Sequence, residues 1–317
     1  MIDTSAFIRY SAEMATIKDI AREAGVSITT VSNVVHGKMS RASKETVDKI
    51  QEIIKKYDYK PSMLAQAFKS RNSHIVAVFD LSEKKGIEYL SEDPFLGILL
   101  RSIECELSIN NYYTLIRSVS NEQELLDLSS SWNISGIILH GVFEKDIFPG
   151  LRNIGIPCVF IDSYLNDSCF YSVGVDDFKG AFTATSHLIS KGHRNIALAC
   201  PTIFDSGVVH ERFMGYRAAL QEAGIAYEAS NVYQVSTVDA GVPLGEKLAE
   251  RKDISAVFAT ADLLAFGIIA GLQKSGIVVP DDKSVIGFDD LYGSSFSNPP
   301  LTTIRQDIRQ KGVAAVD

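Results

Sequence analysis

The sequence predicts two unlike parts: an N-terminal all-α headpiece containing a helix-turn-helix, then an α/β domain of two lobes built on parallel sheets. Three observations lead there. From Thr16 to Tyr57 apolar residues recur at helical spacing in short segments, whereas from Ile75 onward β-branched apolar runs alternate with amphipathic ones. The alternation runs from residue 73 to residue 317, more than one ordinary doubly wound sheet needs, which calls for two lobes with a cleft between them. The charge is also divided. Residues 1–71 hold 12 Lys+Arg against 8 Asp+Glu, a net +4, and the remainder holds 19 against 31, a net −12. A basic module attached to an acidic one suits a nucleic-acid contact confined to the first.

The headpiece reads element by element. In TIKDIAREAGVS, Ile17, Ile20, Ala21 and Ala24 fall on one helical face, Thr16 is placed to cap the start, and Gly25 stands where the helix must stop. Ser27 can cap a second helix, ITTVSNVVHG, with Val31, Val34 and Val35 turned inward and Ile28, Thr29, Thr30, Ser32, Asn33 and His36 left outside. Two short helices joined by a Gly-containing turn form the arrangement that reads DNA, or alternatively a small helical bundle with no such role. A third helix from Ser43 to Tyr57 places Val47, Ile50, Ile54 and Tyr57 on one face and Lys44, Lys49, Lys55 and Lys56 where phosphates could meet them. Lys60-Pro61 then opens a short segment, PSMLAQAFKS, with Pro suited to a first helical turn.

TIKDIAREAGVSITTVSNVVHG, followed by a third helix ending in YDYKPSMLAQAF, resembles the start of lac-repressor-type (LacI/GalR) regulators. The resemblance continues through SVGVDDFKGAFTATSHLISKGHRNIALA, ERFMGYRAALQEAGI, ADLLAFGIIAGLQKSGIVVPDDKSVIGFDDL and PPLTTIRQD into a sensor domain of the type I periplasmic-binding-protein kind. It implies a helix-turn-helix domain over 14–60, a hinge helix over 61–72 and a two-lobed effector domain over 73–317. It implies a cytoplasmic, nucleoid-associated homodimer that binds pseudo-palindromic operator DNA and a small-molecule effector, needs no cofactor or metal, and touches no membrane. By motif position Ile28, Thr29 and Asn33 face base edges, where Asn can pair with adenine and Thr or Ile can meet a thymine methyl. Thr16, Ser27, Thr30 and Ser32 are assigned to the phosphate backbone. Phe68 falls where the family inserts a leucine wedge into a minor-groove step, a role Phe can also fill; the alternative is packing on the sensor domain.

The resemblance places effector contacts at Asp289 in GFDD and Arg212 in ERFMGY, then at Asp262 and Asp176, with Phe95 stacking on a ring. Each has a structural alternative: helix capping for Asp176 and Asp262, loop amides for Asp289, an ion pair for Arg212 and core packing for Phe95. Carboxylates beside an Arg fork favour a neutral polyhydroxylated effector, a sugar or sugar derivative, over a nucleobase or a phosphocarrier protein.

An enzyme is disfavoured, because GxxxxGK[ST], GxGxxG after the first strand, HExxH and GxSxG are all lacking. The four cysteines have no metal-ligand spacing, and His187 and His193 read as capping or packing residues. A solute-binding protein should carry a secretory signal, and MIDTSAFIRYSAEMA is not one. Family members usually start near Met14 and continue past Asp317. Residues 1–13 are therefore an expected disordered extension, and the sensor domain is expected to be truncated.

Overall fold

The computed structural model describes residues 15–60, 73–81, 93–142, 149–165, 169–235 and 238–317. The chain divides into two compact units, Met1–Ser73 and His74–Asp317. The expected extension and the whole hinge segment 61–72, Phe68 included, lie outside the described residues.

In the first unit, α1 (Ile17–Ala24), α2 (Ile28–Val35) and α3 (Lys44–Lys56) close on Ile20, Ala21, Ala24, Val31, Val34, Val47, Ile50 and Ile53. Thr16 forms a reciprocal cap: Asp19 N–H donates to its hydroxyl at 3.3 Å, and its own N–H donates to the Asp19 carboxylate at 3.0 Å. Gly25 ends α1 at φ +70°, a conformation that costs little without a Cβ, Ser27 caps α2 as the sequence predicts, and Ser43 caps α3. The inward face of α3 differs from the expected one. Ile53 is buried, Ile54 only partly so, and Tyr57 is 42% exposed. The cause is Glu23 on α1, which accepts from Lys56 Nζ at 2.7 Å and from Tyr57 Oη at 2.5 Å. A tyrosine whose hydroxyl finds an ionised acceptor near water keeps its tip out of the core. Lys56 is thereby paired within the headpiece.

Among the described residues the second unit holds two five-stranded sheets, and every strand pair is parallel. The first, in order β2-β1-β3-β4-β5, comprises β1 (Ile75–Asp80), β2 (Tyr113–Ser118), β3 (Gly136–His140), β4 (Cys158–Ile161) and β5 (Tyr171–Val173). The second, in order β10-β9-β8-β6-β7, comprises β6 (Ile196–Cys200), β7 (Val232–Gln234), β8 (Ala256–Ala259), β9 (Ser284–Asp289) and β10 (Thr302–Arg305). Helices cover both faces: α4 (Pro94–Ile109) and α5 (Glu122–Ser131) on the first sheet, and α6 (Asp177–Ser190), α7 (Val208–Glu222), α8 (Val238–Glu250) and α9 (Asp262–Lys274) on the second. The final helix, α10 (Ile308–Ala314), returns to the first lobe and packs on α4. Two strands, β5 and β10, escape the sequence pattern because three or four residues with half-buried or exposed side chains show no apolar run. Among the described residues no helix is long and apolar enough to cross a membrane.

In the second lobe, α8 and α9 approach until their backbones touch. A methyl built on Gly271 would lie 2.0 Å from the Val242 carbonyl oxygen, and one on Gly245 would lie 2.3 Å from the Ile268 carbonyl oxygen. Neither neighbour is a flexible side chain that could move aside. Gly271→Ala is expected to force the helices apart and cost about 1–3 kcal/mol, the usual range for overpacking. Urea unfolding should show it as a lower midpoint at unchanged slope.

Candidate functional site

The outward face of α2 is set by its inward one. Val31 and Val34 anchor the helix in the core, so at about 100° per residue Ile28 and Thr29 project on the exposed side, and Asn33 stands one turn beyond Thr29. Ile28 is 46% exposed, an apolar side chain that the headpiece does not bury. Ser27 lies at the start of the helix, 2.9 Å from the Thr30 hydroxyl, and both have surface within reach of a partner. Ser32 is a correction to the outward set. It is only 7% exposed, and the His36 ring folds back over it, with Nδ1 2.6 Å from the Ser32 carbonyl oxygen. Thr16 is exposed, but its hydroxyl already donates to Asp19 at 2.6 Å.

In the sensor unit, polar residues gather where the chain crosses between the two sheets. Arg212 on α7 is 7% exposed; its Nε and Nη2 both meet Asp177 Oδ1 at 2.8 Å, and its Nη1 donates to the Thr260 carbonyl. The guanidinium lies 3.6 Å from the centre of the Phe288 ring, which supplies a cation–π contact. Asp177 is completely buried, and its other oxygen accepts from Tyr164 Oη at 2.6 Å. Burial, and then the bond to Asp177, holds the Tyr164 hydroxyl well above the ordinary phenol range.

Asp289 ends β9 and lies 3.9 Å from Arg212 Nη1. Its Oδ1 accepts from Gln306 Nε2 at 2.6 Å, Gln306 Oε1 accepts from Lys311 Nζ at 2.8 Å, and Lys311 Nζ donates to both oxygens of Asp162 at 2.8 and 2.7 Å. One polar ladder therefore runs from Asp289 at the end of β9, through Gln306 where the chain leaves β10, to Asp162 just after β4. Burial pushes the Asp289 carboxyl up to about 7, against the pull of Arg212. Its backbone stands at φ +125° and that of Asp290 at +57°, a region a side chain adopts at a cost, and such strain gathers at ligand sites.

The sequence-selected residues fall out unequally. Arg212 and Asp289 are brought together in this cluster. Asp262 is fully buried and accepts from the Leu291 N–H at 2.9 Å and from the Ser294 and Thr303 hydroxyls at 2.5 Å each, so it ties down the loop after β9. Burial raises its carboxyl above the ordinary range while those bonds oppose the shift. Asp176 caps α6, accepting from Lys179 N–H at 2.8 Å. Phe95 packs on the first-lobe core with its ring centre 5.2 Å from Lys311 Nζ. The sequence reading missed Asp177, Asp162, Gln306 and Lys311. For Asp177 the signal was present, since GVDD offers two carboxylates, but helix phase decides which one turns inward. Lys311 in a short polar helix reads as a surface residue, and only the fold covers it. At the carboxyl ends of β1, β2 and β3, where ligands of parallel α/β folds bind, Asp80, Ser118 and His140 stand abreast in register around a cavity of about 270 Å³ beneath α4.

Residues 16–62 match the model for bacterial regulatory proteins of the lacI family, and residues 185–317 match the periplasmic binding protein-like domain. The HTH-type transcriptional regulator DegA of Bacillus subtilis (strain 168) is 33% identical over 94% of this chain and 88% of its own. This chain belongs to the lacI family. Among solved structures, the lac repressor dimer bound to operator and the anti-inducer ONPF superimposes with a TM-score of 0.80 at 25% identity, over 96% of this chain and 91% of the other. The transcriptional regulator CelR–cellobiose complex superimposes with a TM-score of 0.70 at 27% identity, over 95% of this chain and 91% of the other. As a lacI-family member the protein is a DNA-binding transcriptional regulator, not an enzyme, with a helix-turn-helix headpiece and a two-lobed sensor on parallel sheets.

Arg212→Leu leaves Asp177 buried without its cation and is expected to cost about 3–5 kcal/mol in urea unfolding, the range for breaking a buried pair from one side. The pH dependence of Asp289 has a definite sign. An acid whose pKa rises from 3.8 to about 7 on folding favours the folded state below pH 3.8, and that contribution is lost as pH climbs to about 7. The stability of the natural chain relative to Asp289→Asn, measured by urea unfolding at steps between pH 4 and 8, is therefore expected to fall up to pH 7 and then level off. A flat difference would contradict the placement of the carboxyl.

Proposed function

We propose that the protein is a repressor whose homodimer binds a pseudo-palindromic operator in the cytoplasm, at the nucleoid, and whose DNA affinity is set by a small molecule held in the sensor unit. The observation that carries the reading is the face of α2, where the core fixes Val31 and Val34 and leaves Ile28, Thr29 and Asn33 outward. In a major groove Asn33 pairs with an adenine edge, Thr29 bonds a base or meets a thymine methyl, and Ile28 adds apolar contact. Ser27 and Thr30 at the start of α2 position the helix on phosphates, helped by the exposed Lys18, Lys44, Lys49 and Lys55. Phe68 in the hinge segment supplies the minor-groove wedge.

The operator in the lac repressor structure and the cellobiose in the CelR structure support the two ligand classes assigned to the two units. In the sensor, Arg212 against Asp177 and Lys311 against Asp162 are compensated pairs, which favours a neutral effector. Effector and DNA are linked only through a difference in effector affinity between the DNA-binding state and the other state.

Operator selection from random DNA, followed by gel shift, tests the reading. Deletion of residues 1–72 is expected to abolish binding, and unchanged binding would refute the assignment. Asn33→Ala is expected to cost about 1–3 kcal/mol, roughly 5- to 150-fold, and to relax preference at one base pair. Phe68→Ala should weaken operator binding more than binding to random duplex; equal losses on both would reject the wedge.

A further inference from the structure

We infer that Leu291 and Leu263 form a two-residue peg by which the second lobe is latched into the first, so that the lobe arrangement, and with it operator affinity, is set before any effector binds. The link to the operator rests on the regulator reading above; the peg itself does not. The two lobes otherwise keep separate cores. Among the described residues both apolar clusters of the second lobe draw only on second-lobe elements, and one of the two first-lobe clusters draws only on its own. The other gathers Leu96 and Leu99 of α4, Ile161 of β4 and Ile308 of α10, and it also takes in Leu291, with Leu263 packed against it. Leu291 is 2% exposed although it stands in the loop after β9, a strand of the second sheet.

Two consecutive residues aim the peg. Asp289 at φ +125° and Asp290 at φ +57° turn the chain out of β9, and Leu291 follows at once. Side chains keep such angles only where the surroundings enforce them, and switch segments are among the places where they persist. The enforcing group is Asp262, the residue before Leu263. Its Oδ2 accepts from the Leu291 N–H at 2.9 Å and from the Ser294 hydroxyl at 2.5 Å, and its Oδ1 accepts from the Thr303 hydroxyl at 2.5 Å. Both leucines are therefore fastened to one buried carboxylate of the second lobe, and they enter or leave the first lobe together. Leu264 makes the contrast: one position further along α9, it belongs to the core of the second lobe.

A polar rung stands beside the peg. Lys311 Nζ donates to Gln306 Oε1, which turns the other end of that amide, Nε2, onto Asp289 Oδ1. Rung and peg both hold the end of β9. A leucine buried in one state and exposed in the other biases the equilibrium between them by roughly 10- to 150-fold. Packed interfaces of this kind have discrete positions rather than graded ones. An effector moves the lobes only by the difference between its affinities for the two arrangements, added to or set against that bias.

Gel shift with the selected operator in the absence of effector, and hydrogen exchange of the full chain, test the inference. Leu291→Ala and Leu263→Ala are each expected to change operator affinity by about 3-fold or more, in the same direction, and to speed amide exchange in the first turns of α4 by a similar factor. Leu264→Ala is expected to lower the thermal midpoint while operator affinity stays within about 2-fold and α4 exchange is unchanged. Should Leu291→Ala no longer melt cooperatively, the half-buried Leu263 carries the comparison. Unaltered operator affinity in the peg variants, changes of opposite sign, or an equal change from Leu264→Ala would overturn the inference. A natural chain that binds no operator would reject the regulator reading instead, and the exchange measurement then decides the peg by itself: α4 exchange that the peg variants leave unchanged overturns it.

Discussion

The sensor unit depends on an ion pair that has almost no access to water, Arg212 against Asp177. Two charges taken out of solvent in this way are stable only while each keeps its partner and its remaining bonds are satisfied. Arg212 meets that condition with the Thr260 carbonyl and the Phe288 ring, and Asp177 meets it with Tyr164. The elements that supply these groups, α6, α7, β8, β9 and the segment after β4, are held in one arrangement by that requirement. Asp289, the next carboxylate along, is left with a weak share of the same guanidinium and is driven toward its neutral form.

From that pair the ladder through Asp289, Gln306, Lys311 and Asp162 reaches the first lobe, with Gln306 standing where the chain leaves β10 for that lobe. A chain of mutually oriented hydrogen bonds across a hinge is sensitive to small rearrangements, because each member has few alternative partners in a covered site. The strained backbone at Asp289 and Asp290 lies in the middle of this ladder, and the mouth of the cavity under α4 lies beside its far end, where Ile161 precedes Asp162.

The headpiece follows simpler rules. Its caps, its glycine stop and its apolar face all agree at the level of local sequence, and nothing longer in range than the Glu23 contact to Lys56 and Tyr57 is needed to close it. Agreement of this kind between levels is what makes a short segment legible. The same contact explains the misread face of α3, because the sequence pattern treats Tyr57 as apolar and cannot register an acceptor more than thirty residues away.

Helical spacing, the Ser and Thr caps and the alternation of β-branched runs with amphipathic segments determined the class of each unit and most of its elements, since these signals act within a turn or a strand. The resemblance to lacI-family motifs pointed to Arg212 and Asp289, which the fold brings within 3.9 Å of each other. The choice of Asp177 over Asp176, the burial of Lys311 and Ser32, the structural duty of Asp262 and the cavity beneath α4 were decided by tertiary structure alone. Each depends on which distant group faces a given side chain once the sheets, helices and crossings have packed, and burial and partnership are properties of that packing rather than of the residue.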